Sequence, residues 1–144
     1  MLKAATYCSD LREQCLKGKM SFVFETVFSA QDKIDFDIRA KQAGFFIRIF
    51  VISTSNPAIN ASRIAKRVMK GVHDVPIAKI ISRYNKSIQN CKTVAPIIDR
   101  LYVYDNSIDD EDARPLFHLS NGKRATQYTT DIPEWTLTMF KRML

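Results

Sequence analysis

Phe45-Phe46-Ile47-Arg48-Ile49-Phe50-Val51-Ile52 is the stretch on which the fold turns. It is strand-length, β-branched and aromatic, and its near-continuous apolar character predicts burial on both faces, as in a parallel sheet. Gly44 closes the segment before it, a helix begun by a Ser29 cap with Asp32 in its first turn. After it, Ser53-Thr54-Ser55-Asn56-Pro57 forms a loop, and Pro57 sits near the start of a helix running from about residue 58 to 70. Pro76 opens another helix, whose Ile77, Ile80, Ile81, Tyr84, Ile88 and Cys91 keep the helical period. Leu101-Tyr102-Val103-Tyr104 predicts a second strand, and Ser21-Phe22-Val23-Phe24 a third, ending at Glu25. A leading helix over residues 2–16 carries Ala4, Cys8, Leu11 and Cys15 on one stripe and stops at Gly18. Residues 116–119 and 125–128 flank Asn121-Gly122, a hairpin signal. Residues 133–143 predict a last helix, anchored by Trp135. Strands alternating with helices predict an α/β fold, a parallel sheet flanked by helices with a C-terminal β-hairpin and helix.

The chain has 144 residues, which suits a single domain with a real core. Hydrophobic residues make up 46% and charged residues 26%, the balance of a soluble globular protein. No apolar run approaches the roughly 20 residues a membrane helix needs, and no signal-peptide pattern is present. Cys8, Cys15 and Cys91 have no metal-ligand spacing and leave an odd count, which predicts reduced thiols in a cytoplasmic protein. His73 and His118 have no ligand-spaced partners, so no metal site is read.

The net charge is +7, and its excess is concentrated. Arg63, Lys66, Arg67 and Lys70 recur at i, i+3, i+4, i+7 and share one helix face; Lys79, Arg83 and Lys86 repeat the pattern on the next helix. Asp109-Asp110-Glu111-Asp112 is a short acidic run. Two converging basic faces over residues 58–95 predict a helical lid that grips an anion, with arginine forks on phosphate. Glu25-Thr26, Ser53-Thr54-Ser55 and Asp105-Asn106-Ser107 are placed at the carboxyl ends of the three strands, where open α/β sheets bind ligands. The same residue types also make ordinary turns and caps. A basic nucleic-acid-binding module is the competing class. The basic stripes lack interleaved aromatic residues and no RRM, KH or zinc-finger signature is present, so nucleic acid is not the expected partner.

Taken together, SFVFET at 21–26, AKQAG at 40–44, NPAINASRIAKRV at 56–68, GVHDVP at 71–76, SRY at 82–84 and YDNS at 104–107 resemble the zeta-toxin-like P-loop kinases, in their bacterial "predicted ATPase" branch. The resemblance spans nearly the whole chain and reads residues 1–144 as one such domain. It implies a P-loop NTPase-like sheet and phosphoryl transfer from ATP, with Mg²⁺, to a nucleotide sugar such as UDP-N-acetylglucosamine. An antitoxin protein is the implied partner, and a non-catalytic remnant that binds the antitoxin is the alternative. By the same resemblance Arg67 and Arg83 are catalytic, Glu25, Thr26, Lys70 and His73 face the acceptor, and Asp105 and Asn106 lie near the nucleotide.

Two departures accompany it. No GxxxxGK(S/T) loop precedes the first helix, so the backbone nest, the phosphate lysine and the magnesium hydroxyl it would bring are missing, along with the central P-loop strand. Independent ATP turnover is therefore not expected. Val72 also stands where the family has a second glycine before His73. Loss of a central strand predicts that residues 21–24 and 45–52 either close on each other or expose edges for self-association.

Overall fold

The computed structural model describes residues 2–144. Five helices and four strands follow in the order α1 (Leu2–Lys17), α2 (Gln31–Gln42), β1 (Arg48–Ser53), α3 (Pro57–Val68), α4 (Ile77–Val94), β2 (Arg100–Asp105), β3 (Arg114–Ser120), β4 (Lys123–Gln127) and α5 (Glu134–Phe140). The sheet order is β1-β2-β3-β4. β1 and β2 pair in parallel, joined by the α3–α4 crossover. β3 and β4 add antiparallel neighbours. The sheet is therefore mixed, with two parallel strands rather than three. The antiparallel half follows from short connections, since a parallel neighbour needs a crossover of a dozen or more residues.

The β3–β4 turn is the hairpin that Asn121-Gly122 predicts. Both residues have positive φ, 51° and 76°, as a twist-matched two-residue turn requires. A Cβ on Gly122 would stand 2.8 Å from the Pro96 Cα, so close packing as well as backbone freedom calls for glycine.

Residues 21–24 are not a strand. Phe22 and Phe24 stack on each other along an unpaired segment, and each meets the Phe36 ring in a T-shaped pair at 6.0 Å. Phe22 also meets Phe45 at 6.3 Å, and the Arg12 guanidinium lies 4.9 Å from the Phe24 ring centre. Val23, on the opposite side, is 97% exposed. Aromatic contacts with α2 substitute for a hydrogen-bonded ladder, so closure of this segment onto β1 does not occur. β1 pairs with β2 alone among the described residues.

Inner-face side chains Val51, Leu101, Val103, Phe117 and Leu119 form one core with Cys91 and Val94 of α4 and Met139 and Phe140 of α5. Phe117 and Phe140 pack edge to face at 5.8 Å. The helical unit expected over residues 58–95 divides in two: α4 is a principal core helix, whereas α3 buries no residue. α1 buries none either, and is tied to α2 by a two-pronged Arg39–Glu13 pair at 2.6 and 3.0 Å. No helix among the described residues is long and apolar enough to cross a membrane.

Within the α2–α4 contact lies Asp37, 6% exposed, whose Oδ2 has no hydrogen-bond partner. Burial pushes its carboxyl up to about 6. Burial, and then the Asp37 charge, push the Cys91 thiol up to about 12, so this cysteine is an inert core residue.

Candidate functional site

The carboxyl ends of the two parallel strands meet through backbone and hydroxyl contacts. The Asn106 N–H donates to the Ser53 carbonyl at 2.7 Å, and the Ser55 N–H donates to Ser107 Oγ at 2.9 Å. Asp105 is buried and fully engaged: Oδ1 accepts from the Ser107 N–H at 2.7 Å and Oδ2 from Trp135 Nε1 at 3.2 Å. Trp135 thereby fastens α5 to this rim. Thr54 is buried beside it; its hydroxyl lies 3.1 Å from Asn60 Oδ1, and its carbonyl accepts from the Tyr84 hydroxyl at 2.6 Å. Burial first, and the nearby Asp105 charge second, raise the Tyr84 hydroxyl above the usual phenol range. These bonds fix both the start of α3 and the first half of α4 against the strand ends. Asn56 completes the joint by capping α3, its Oδ1 accepting from the Ala58 N–H at 2.8 Å, with Pro57 at the first helical position.

The third polar cluster is elsewhere. With residues 21–24 unpaired, Glu25 and Thr26 end no strand. Thr26 Oγ1 accepts from the Phe28 N–H at 3.3 Å, and Phe28 takes a left-handed φ of 60°. The turn so formed docks on α4: Ser87 donates its hydroxyl to the Val27 carbonyl, and Asn90 donates to the Phe28 carbonyl at 2.9 Å. The chain then enters α2 through Ala30, which is the N-cap in place of Ser29 and makes no side-chain cap bond. The first turn of α2 thus presents N–H groups that no capping side chain satisfies.

Two clefts result. The larger, about 620 Å³, is lined by Ser29, Ala30 and Gln31 at the α2 entry and by Lys79, Ser82, Arg83, Lys86 and Asn90 of α4. None of its cations forms an ion pair among the described residues, and no carboxylate lines it. The smaller, about 360 Å³, sets Arg63, Lys66 and Arg67 of α3 against Asn106, Ile108, Asp109, Asp110 and Glu111. Here the charges cancel in part: Asp109 accepts from Arg63 Nε at 2.9 Å and Lys66 Nζ at 3.4 Å. These two hydrogen bonds, Arg63 first, hold the Asp109 carboxyl below the usual carboxylate range.

The site residues expected from the sequence therefore separate. Arg67 and Asn106 share the smaller cleft, and Arg83 lines the larger one beside the turn that carries Glu25 and Thr26. Arg67 and Arg83 line no common cleft. Lys70 and His73 are exposed on the α3–α4 connection and line neither. Asp105 faces Trp135 and its own turn. Sequence reasoning had no means of selecting Gln31 or Asn90, because both owe their place to the docked 26–30 turn. Lys79 and Lys86 were visible as charge but not as members of one cleft.

No protein-family model, no curated protein and no solved structure matches the chain.

Proposed function

We propose that the chain is a phosphate-ligand-binding domain of the zeta-toxin-like kinase type, taking the phosphates of a nucleotide or nucleotide sugar in the α2–α4 cleft. The observation that carries this reading is the convergence of Lys79, Arg83 and Lys86, with no carboxylate lining the cleft, on the uncapped amino end of α2, whose first-turn Asp32 pairs with Lys33. A helix amino terminus offers oriented N–H groups and a partial positive charge, and anions bind there readily. Arg83 adds a planar fork that grips two phosphate oxygens, and the lysines add point charges. Ser29, Ser82, Gln31 and Asn90 supply neutral polar groups for the sugar or base.

The cleft suits a nucleotide's phosphates but not a protein-held magnesium ion. It carries no carboxylate, and the described residues contain no group of three or more His, Cys, Asp or Glu side chains placed to hold a metal. Any Mg²⁺ would arrive on the phosphates. The chain's part is to bind and orient the phosphorylated ligand.

Calorimetric titration with UDP-N-acetylglucosamine, UDP, inorganic phosphate and ATP, with and without Mg²⁺, tests the reading. Saturable binding of the phosphorylated ligands that is lost in the Arg83→Ala/Lys86→Ala variant is expected. Undiminished binding in that variant, or none by the unaltered chain, would overturn it.

A further inference from the structure

The outer face of the sheet lies opposite the packed core, and β1 leaves it open. Phe46, Phe50 and Ile52 are 59, 56 and 59% exposed. Strands that alternate buried and exposed positions normally place polar residues outside; here the outward row is aromatic. The Phe50 and Tyr102 rings stack at 4.8 Å and 11°, Tyr102 and His118 at 5.0 Å and 30°, and His118 and Tyr128 follow at 5.9 Å and 33°. His118 Nδ1 and the Tyr128 hydroxyl are hydrogen-bonded at 2.8 Å, which fixes the far end. The ladder crosses β1, β2 and β3 and reaches the residue just past β4. At the near end Phe50 stands on the strand edge that no other described strand covers, so one face of its ring has no neighbour in the ladder.

The charge on this face has one sign. Arg48 and Arg100 are its outward residues at the start of β1 and β2, and both guanidinium groups lie over the Phe46 ring, at 5.3 and 5.9 Å. Lys123 stands at the same end of β4, opposite Ser120. No Asp or Glu occupies an outward position of β1 or β2. An exposed apolar patch of this kind marks an interaction surface. A second copy of the chain would bring +7 against +7 and set like-charged rims together. A polyanion with flat apolar groups satisfies rings and cations alike.

We propose that this open sheet face binds single-stranded nucleic acid, a base stacking on Phe50 and the adjoining phosphates lying on Arg48 and Arg100. On α3 and α4 the one aromatic residue, Tyr84, is turned to the Thr54 carbonyl and does not interleave with the basic stripes. The interleaving exists across strands, between residues some 50 positions apart (Phe50 beside Tyr102), where the parallel β1–β2 register places it. Such a surface tolerates sequence variation, because every base has a ring face, and is sensitive to salt. The site is separate from the α2–α4 cleft and does not rest on the reading given for it.

The test is fluorescence anisotropy with labelled oligothymidylate and oligouridylate of about 12 nucleotides, titrated at several salt concentrations. Saturable binding that weakens with salt is expected. Phe50→Ala should weaken it about ten-fold or more, and Phe50→Tyr should restore it. Arg48→Ala should lower the slope of log affinity against log salt by about 0.7, one phosphate's worth on a single strand. Phe50→Ala loses the Tyr102 stack, so its melting temperature should fall by only a few degrees, and the titration at 25 °C reads a folded variant. No binding at low salt would overturn the proposal. So would loss of binding in Arg83→Ala/Lys86→Ala but not in Phe50→Ala, which would place the oligonucleotide in the cleft. Sedimentation showing a dimer that Phe50→Ala dissolves, without oligonucleotide binding, would overturn it in favour of a second copy.

Discussion

Helices α3 and α4 carry the same charge pattern in sequence, four and three basic residues on one face, yet they end in different electrostatic settings. The α3 stripe faces the acidic run after β2, where Asp109 takes Arg63 and Lys66. The α4 stripe faces the 26–30 turn and the bare amino end of α2, with no carboxylate lining the cleft. The two helices differ in packing as well: α4 buries Ile80, Cys91 and Val94, and α3 buries nothing. A charge stripe thus acquires meaning from what folds against it. One helix is packed into the core and presents unpaired cations, and the other buries no residue and is partly neutralised.

The sharpest way to break this contrast is in the packing. Ile80→Ala, in the core, should cost about 2–4 kcal/mol of unfolding free energy in urea titrations, and Ile64→Ala on α3 about 1 kcal/mol or less. Similar costs would mean that α3 is packed as firmly as α4.

Next in size is a pH effect on the buried side of α4. Asp37 has a folded-state carboxyl raised to about 6, against about 3.9 when unfolded. Between those values the folded state holds the proton more often than the unfolded chain. Stability therefore falls as pH rises from about 4 to about 6, by up to about 3 kcal/mol, and levels above that window. Urea midpoints from pH 4 to pH 8 should show this fall in the parent and a flat profile in Asp37→Asn. An unchanged profile in the variant would assign the slope to other groups.

The clefts themselves come third. Arg83→Ala/Lys86→Ala should weaken binding of a phosphorylated ligand about 10- to 100-fold, whereas Arg67→Ala should change it about two-fold or less. Calorimetry distinguishes the two, and equal losses would mean that both clefts contact one ligand. The smallest effect belongs to Asp109→Asn. Surface ion pairs contribute little, so its melting temperature should stay within about 1 °C of the parent by scanning calorimetry. Because the Asp109 carboxyl is held low, its tie to Arg63 should persist as pH falls through the ordinary carboxylate range and be lost only below it.

Much of the architecture was legible because its signals are local. The 45–52 run, the Asn121-Gly122 turn, Pro57 after Asn56, and the helical period of α4 each encode their element within a few neighbouring positions, but the run pairs only from Arg48 and is buried on one face, not on both as its apolar character predicted. The error at residues 21–24 has the opposite cause. Phe-Val-Phe is good strand sequence, but a strand exists only when another backbone accepts its hydrogen bonds, and α2 and Phe45 offered rings instead. The candidate site was half legible for the same reason. Basic residues could be counted, but not which would be neutralised, since Asp109 is 46 residues from Arg63. Arg67 and Arg83 looked equivalent and line different clefts.

From sequence alone came the helix-and-strand succession, the parallel crossover through two basic helices, the hairpin and the surplus of positive charge, all properties of short windows or of composition. Tertiary structure alone decided which cations stay unpaired, that a turn rather than a strand carries Val27 and Phe28 to α4, and that rings from separate strands line up on an open face. Those outcomes depend on pairing between distant segments, and the energy of a pair does not exist until the chain brings its members together.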